Sequence, residues 1–449
     1  MARLALKSAP ACTAKAVACL ALKSAPPGAA RAMVMLSELL RHRLVDRHGQ
    51  RARLLDLAVD LSAGDYPPVT RLLFAGPRGR QMELPWAEVV SSDWRLGRLR
   101  VTDLASGRAA PPEALKRTVL LKRDVLDALL LDVQDRQSMR ANDLWLRQDE
   151  DRLWLRGADI SPWAVLRRLG RGLLGDGRQG RRVVDWANVE FLRGDPRAGL
   201  AGDDYHRRIA RLAPVAIARL AEDVPYHHAA ELLTLLPDSV AADTLEAMSP
   251  ERQLQVFEDV AEDQAVRLLA LMAPDLAADL VGHLEPSWAQ HCLEQLPAAG
   301  AERIIELLRY PEQSAGGIMT NDISVALASL TVKEAREELR EQLANPDFVY
   351  YVYVVGDTET RMLLGVVTLR DLVVKNDQSL LRDIMRRDVV AVDPLESGVA
   401  AARRVVEEHL AALPVVARDG RLLGAITVDS AVAMLAPATL RNQVPRVFS

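Results

Sequence analysis

Hydrophobic positions along the 449-residue chain change their rhythm twice. In "LVDRHGQRARLLDLAVDL" (44–61) and "LLDVQDRQSMRANDLWL" (130–146), an apolar run meets a polar turn and then an alternating segment. Alternation around a turn predicts strand, turn, strand in both places. The echo continues downstream, "LPWAEVV" (84–90) against "VDWANVE" (184–190), with Trp86 and Trp186 as candidate core residues. Two similar blocks in one order predict tandem copies of one small β-rich unit.

From 203 to 309 the apolar residues fall instead at i, i+3 and i+4, the pattern of amphipathic helices. "LLTLLPDSVAADTLEAMSP" (232–250) repeats as "LLALMAPDLAADLVGHLEP" (268–286) and more weakly as "LEQLPAAGAERIIELL" (293–308). Pro fits the first turn of a helix, and the following Asp238 and Asp275 suit its positive end. Stacked short helices in a superhelix are expected.

Past "YPEQSAGGIMT" (310–320) the rhythm changes again. "FVYYVYVVGDTETRMLLGVVTLRDLVV" (348–374) and "ALPVVARDGRLLGAITVDSAVAML" (412–435) both predict strand, turn, strand, helix. An Ile-Met pair lies upstream of each, Ile318-Met319 and Ile384-Met385, followed by an amphipathic helix at 332–343 and 397–409. In the joint itself, Pro311 ends one packed unit, and Gly316 and Gly317 allow a sharp turn into the next.

Composition sharpens this picture without changing it. At 49% hydrophobic and 26% charged, the chain is that of a folded protein. Its net charge of −4 conceals an asymmetry: residues 1–200 carry 34 Lys and Arg against 23 Asp and Glu, the remainder 23 against 38. A basic half and an acidic half suit different partners, or each other. No stretch reaches the ~18–20 uninterrupted apolar residues of a membrane-spanning helix. Three cysteines (Cys12, Cys19, Cys292) form no disulfide framework or Cys-x-x-Cys pair, as expected of a reducing cytoplasm. Residues 1–32 repeat "LALKSAP", lack acids, and have lysines breaking any signal-like core. They are expected to be a disordered tail, or to precede a natural start at Met33 or Met35.

Little of this points to catalysis: there is no Ser/His/Asp set, no phosphate loop of Walker type and no metal triad. Asp275 and Asp279 lie four apart on one helix face, where they could hold hydrated Mg²⁺ or act as cap and surface charge. The Gly-rich basic run 167–182 could meet phosphate, but lacks aromatics for base stacking.

Three resemblances follow from these motifs. The duplicated β unit, with its turn and closing Trp-Ala segment, resembles PRC-barrel docking modules. The repeated "LLGVVTLRD" and "LLGAITVDS" resemble tandem CBS motifs. The helical stack, the joint and both CBS copies, over about 205–437, resemble the cytoplasmic region of MgtE-type magnesium transporters. The implied fold is multidomain α+β: β-barrels at 33–120 and 121–200, an all-α superhelix at 203–311, CBS motifs at 312–374 and 380–437, and a tail at 438–449.

CBS pairs bind adenine nucleotides, so the resemblance implies an AMP or ATP site at Thr368 and Asp371, with Thr427 its counterpart. Asp371 would hold the ribose hydroxyls, the preceding strand's glycine permitting close approach; the same carboxylate also suits a helix cap. In the second copy Ser430 stands at the acidic position. The transporter resemblance implies Mg²⁺ sensing by Asp275, Asp279 and Asp429, thinned by Leu276, Ser430, Ala431 and Ala433 where the family is acid-rich.

In that family a channel follows the second CBS copy, whereas this sequence ends at Ser449 without a spanning segment. The expectation is a cytoplasmic, non-catalytic regulator or adaptor, homodimeric through apolar faces of 397–409 and 430–435, with a protein partner on the barrels. The alternatives are a subunit of a separately encoded magnesium channel, or an RNA- or ribosome-associated factor using the basic half.

Overall fold

The computed structural model describes residues 33–93, 98–111, 118–149, 152–169, 182–192, 208–342 and 351–436. The two expected tails and most of the basic run 167–182 lie outside these residues.

Both sequence echoes fold alike. Arg43–Val45 pairs antiparallel with Arg51–Val59, and Leu129–Asp132 with Gln137–Arg140. Each turn is held by a buried aspartate: Asp46 accepts the amides of His48 and Gln50, and Asp132 those of Gln134 and Asp135. Trp86 and Trp186 begin equivalent one-turn helices and are both buried in one core.

The expected closed barrels do not form: among the described residues the sheets are open. The reason is a reciprocal exchange. Met33–Met35, leading the first copy, pairs with Asp143–Asp149 of the second. Val119–Leu120, which moves the start of the second copy ahead of the expected 121, pairs with Arg51–Val59 of the first. Asp143 accepts the Ser37 amide and hydroxyl, while Asp56 accepts the amides of Lys122 and Arg123. Burial raises the pKa of both carboxyls, against the pull of these hydrogen bonds. Each copy thus seals an edge of the other, and a single core spans both.

Eight helices follow, from Pro214–Glu222 to Ala298–Leu307. Pro250, Pro274 and Pro286 start theirs at the first turn, whereas Pro225, Pro237 and Pro297 sit one place earlier as caps. Both positions forgo an N–H that no helix would use. Pro214–Glu222 packs on Asp238–Glu246, and Tyr226–Thr234 on Pro250–Asp259. This two-apart packing makes the expected superhelix.

The first CBS copy has Ser324–Leu327 parallel to Tyr351–Val355, which is antiparallel to Leu363–Thr368. In the second, Ala412–Val416 pairs with Leu422–Thr427, and Val392 bridges Val415 in parallel. These copies also exchange segments: Thr320 bridges Ala425, and Arg386 bridges Val366. Gly424 and Gly365 permit it. A Cβ on Gly424 would lie 2.4 Å from the Thr320 carbonyl oxygen, and one on Gly365 2.6 Å from that of Arg386. The repeated Leu-Leu-Gly therefore admits the other copy's Ile-Met segment, a different use from the ligand approach expected of it.

The joint is a packed element. Gly398 donates to the Gln313 carbonyl, Ala315 to that of Glu396 and Gly316 to that of Pro394, all within 2.8 Å. Neither Gly316 nor Gly317 has a positive φ; a Cβ would strike the Tyr310 ring at 2.6 Å and the Pro311 carbonyl oxygen at 2.2 Å respectively. The sharp turn expected is there, Gly317 and Ile318 both donating to the Ser314 carbonyl, but the glycines serve it by close approach and not by a positive φ. Ala315 and Met319 are fully buried in a core shared by the helical stack and the second CBS copy.

Candidate functional site

Thr368 ends the strand Leu363–Thr368 and caps the helix Leu369–Val374. Its hydroxyl accepts the Asp371 amide at 3.1 Å and donates to Asp371 Oδ2 at 2.7 Å, while the Thr368 amide donates to the same oxygen at 3.3 Å. This is a capping box, so the cap reading of Asp371 holds. All its bonds fall on Oδ2, leaving Oδ1 outside the box. The Thr368 hydroxyl, and then the nearby Arg386 and Lys375, hold the Asp371 carboxyl below its ordinary range.

Register builds the surroundings. Tyr351 lies opposite Thr368 and Tyr353 opposite Val366, whose other neighbour is Arg386 from the second copy's leading segment. Tyr353 is 2% exposed in the core between the two CBS sheets, and its hydroxyl has no hydrogen-bond partner. Burial pushes its phenol well upward. An orphaned buried hydroxyl is costly, and this one marks where a polar group or water is wanted. Sequence reading missed it because "YYVYVV" presents Tyr353 as one more apolar strand position.

Thr427 repeats the cap without the charge: its hydroxyl accepts the Ser430 amide at 3.1 Å and lies 3.0 Å from the Ser430 hydroxyl. The two halves of the CBS pair are thus chemically unequal. Surface clefts of about 470 Å³ (Glu262, Asp263, Val266, Gln295) and 180 Å³ (Val325 to Leu327, Glu338, Thr358, Arg361) include neither cap.

Asp275 and Asp279 share the helix Pro274–His283, and Asp429 lies in the first turn of Val428–Leu435. Among the described residues no three His, Cys, Asp or Glu side chains come together to hold a metal ion. Leu276, between the two helical acids, packs into the core, and Ser430 and Ala431 offer no carboxylate.

The apolar faces expected to join two chains are partly occupied, with Val399 and Val406 of the first still exposed. Ala401, Ala402 and Val405 of Gly398–Glu407, with Val428, Met434 and Leu435, pack into the shared core. The more exposed apolar side chains are Val373 (76%) and Val374 (72%), beside Asp371. Among the described residues no helix is long and apolar enough to cross a membrane.

The MgtE intracellular N domain family matches residues 212–313, and the CBS domain family matches 315–375 and 381–436. The magnesium transporter MgtE of Thermus thermophilus is 34% identical over 230 residues, covering 51% of each chain. That of Enterococcus faecalis is 37% identical over 135 residues, 30% of this chain and 29% of the relative. The solved cytosolic domain of the Mg²⁺ channel MgtE in complex with ATP is similar at 30% identity and a TM-score of 0.49, over 54% of this chain and 96% of that one. At best, then, the chain spans about half the length of these transporters. An MgtE N domain and tandem CBS domains are present, matching the cytosolic part of MgtE, and the N-terminal β region lies outside these matches.

Proposed function

We propose that this chain, a homologue of the cytosolic region of MgtE over residues 212–436, is a cytoplasmic, non-catalytic regulator in magnesium homeostasis that binds one adenine nucleotide. The observation that carries the reading is the unequal pair of caps. At Thr368, Asp371 offers a carboxylate oxygen outside the capping box, able to accept two ribose hydroxyls, with Arg386 beside it as a counter-charge for phosphate. The orphaned Tyr353 hydroxyl between the sheets supplies a further polar contact. At Thr427 the Ser430 hydroxyl replaces the carboxylate, so one site per chain is expected.

The magnesium link rests on the transporters that share this architecture. Mg²⁺ would enter with the nucleotide phosphates rather than through Asp275, Asp279 and Asp429 alone. Two chains would pair across Val373 and Val374, placing the interface next to the nucleotide. A shared core ties the helical stack to the second CBS copy, so a change at the pair would reach the stack as a rigid unit. Service as the cytoplasmic subunit of a separate magnesium channel is the second reading, favoured by the similarity of residues 212–436 to the cytosolic part of magnesium transporters.

Isothermal titration of AMP and ATP into the full chain, each with and without Mg²⁺, tests this. Binding at one site per chain, lost in Asp371→Asn and kept in Ser430→Ala, is expected. Asp371→Asn retains an oxygen for the cap, so its melting temperature separates lost binding from lost folding. Absence of binding under all four conditions would sink the nucleotide reading.

A further inference from the structure

Five exposed arginines share one face of the N-terminal sheet. Arg43 lies directly opposite Arg53 on one neighbouring strand and Arg98 on the other, and Val45 opposite Arg51 and Arg100. Cross-strand partners and their i±2 neighbours project to the same side. Arg43, Arg51, Arg53, Arg98 and Arg100 therefore surround Val45, while Leu44 and Leu99 point into the core. Arg43, Arg51, Arg53 and Arg100 form no ion pair or hydrogen bond with side chains of the described residues, and Arg98 has Asp93 opposite it on its other side. Like charges directly opposite are destabilising.

The duplication makes the contrast informative. The matching face of the second copy carries Leu129 and Leu131, next to Leu192, and it is covered by the helical stack. The face that docks helices through leucines in one copy is thus uncovered and cationic in the other.

We infer that this face binds the phosphate backbone of double-stranded RNA. Three considerations select that occupant. Protein interfaces centre on packed apolar and aromatic anchors that arginine accompanies, and among the described residues this face has only Val45 at its middle. A bilayer-binding face combines basic residues with several inserted apolar ones, and among the described residues of these strands Val90 alone is a strongly exposed apolar side chain. Strands about 4.8 Å apart, with side chains about 6.8 Å apart along each, pack the guanidiniums densely, as suits a duplex, and the fork geometry matches phosphate oxygens. Among the described residues no aromatic side chain joins the face to stack on single-stranded bases. A sheet face that inserts nothing into a groove suits the wide, shallow minor groove of the A-form.

The test is fluorescence anisotropy of a labelled 20-base-pair RNA duplex with the full chain from 50 to 200 mM salt. Five neutralised phosphates predict a slope of log K against log salt of about −4.5, falling to about −1.8 in Arg43→Gln/Arg53→Gln/Arg98→Gln. The three side chains are exposed, and an unchanged melting temperature would show the fold intact. An unaltered slope in the triple variant would overturn the assignment to this face. Equal binding to a B-form DNA duplex would overturn the choice of RNA. Arginine-dependent binding to vesicles containing 30% phosphatidylglycerol, with none to RNA, would make a lipid surface the occupant instead.

Discussion

Replacing Gly424 by alanine would act on the crossing of the two CBS copies. The new Cβ would stand 2.4 Å from the Thr320 carbonyl oxygen, where ordinary contact begins near 3.4 Å. Backbone cannot swing aside as the neighbouring Met319 side chain could, so the leading segment must withdraw by about 1 Å. The paired bonds between Thr320 and Ala425, both 2.9 Å, would then exceed hydrogen-bonding range. Two bonds at about 0.5–1.5 kcal/mol each and overpacking of about 1–3 kcal/mol suggest a loss of about 3 kcal/mol. At about 1.4 kcal/mol per tenfold, amide hydrogen exchange at Thr320 and Ala425 should quicken roughly a hundredfold. Protection within twofold of the parent would refute the claim that this glycine exists to admit the other copy. Gly365→Ala disturbs the same crossing on the side of Arg386 and Asp371. It should weaken AMP binding as well, whereas Gly424→Ala should largely spare it.

Asp56→Ala and Asp143→Ala each orphan amides contributed by the opposite β copy. A loss of about 1–3 kcal/mol each, read from tryptophan fluorescence during urea unfolding, is expected; no change in either would argue against reciprocal exchange. His228 has its pKa lowered to about 4 by burial, then by His227 and Arg140. Between that value and 6.5 the unfolded chain binds more protons, so stability falls as pH drops through this window. His228→Asn should flatten the decline in melting temperature between pH 6.5 and 4.5, and an equally steep decline would contradict this. Val373→Asp with Val374→Asp should convert the proposed dimer to a monomer in analytical ultracentrifugation while leaving the fold intact. An unchanged sedimentation coefficient would place any dimer interface elsewhere.

Much of this organisation is readable along the chain because it depends on local period. Alternation around Asp46 and Asp132 identifies the β hairpins, the 3.6-residue rhythm and its prolines identify the stack, and "LLGVVTLRD" over "LLGAITVDS" identifies the CBS pair. The Thr368–Asp371 cap is likewise local, three residues apart, and needs no distant partner to be recognised. What connects these elements depends on residues far apart in the chain. Nothing near Asp56 announces Lys122, nothing near Gly365 announces Arg386, and the expected barrels stay open because each leading strand pairs with the other copy. The Tyr353 hydroxyl is orphaned, and five arginines converge, only once strands are placed side by side. Periodicity along the chain determines which elements exist and which side of each is apolar. Which apolar sides meet, and which charges are left facing outward together, is decided in the tertiary structure, where long-range packing chooses among many pairings that local pattern allows equally.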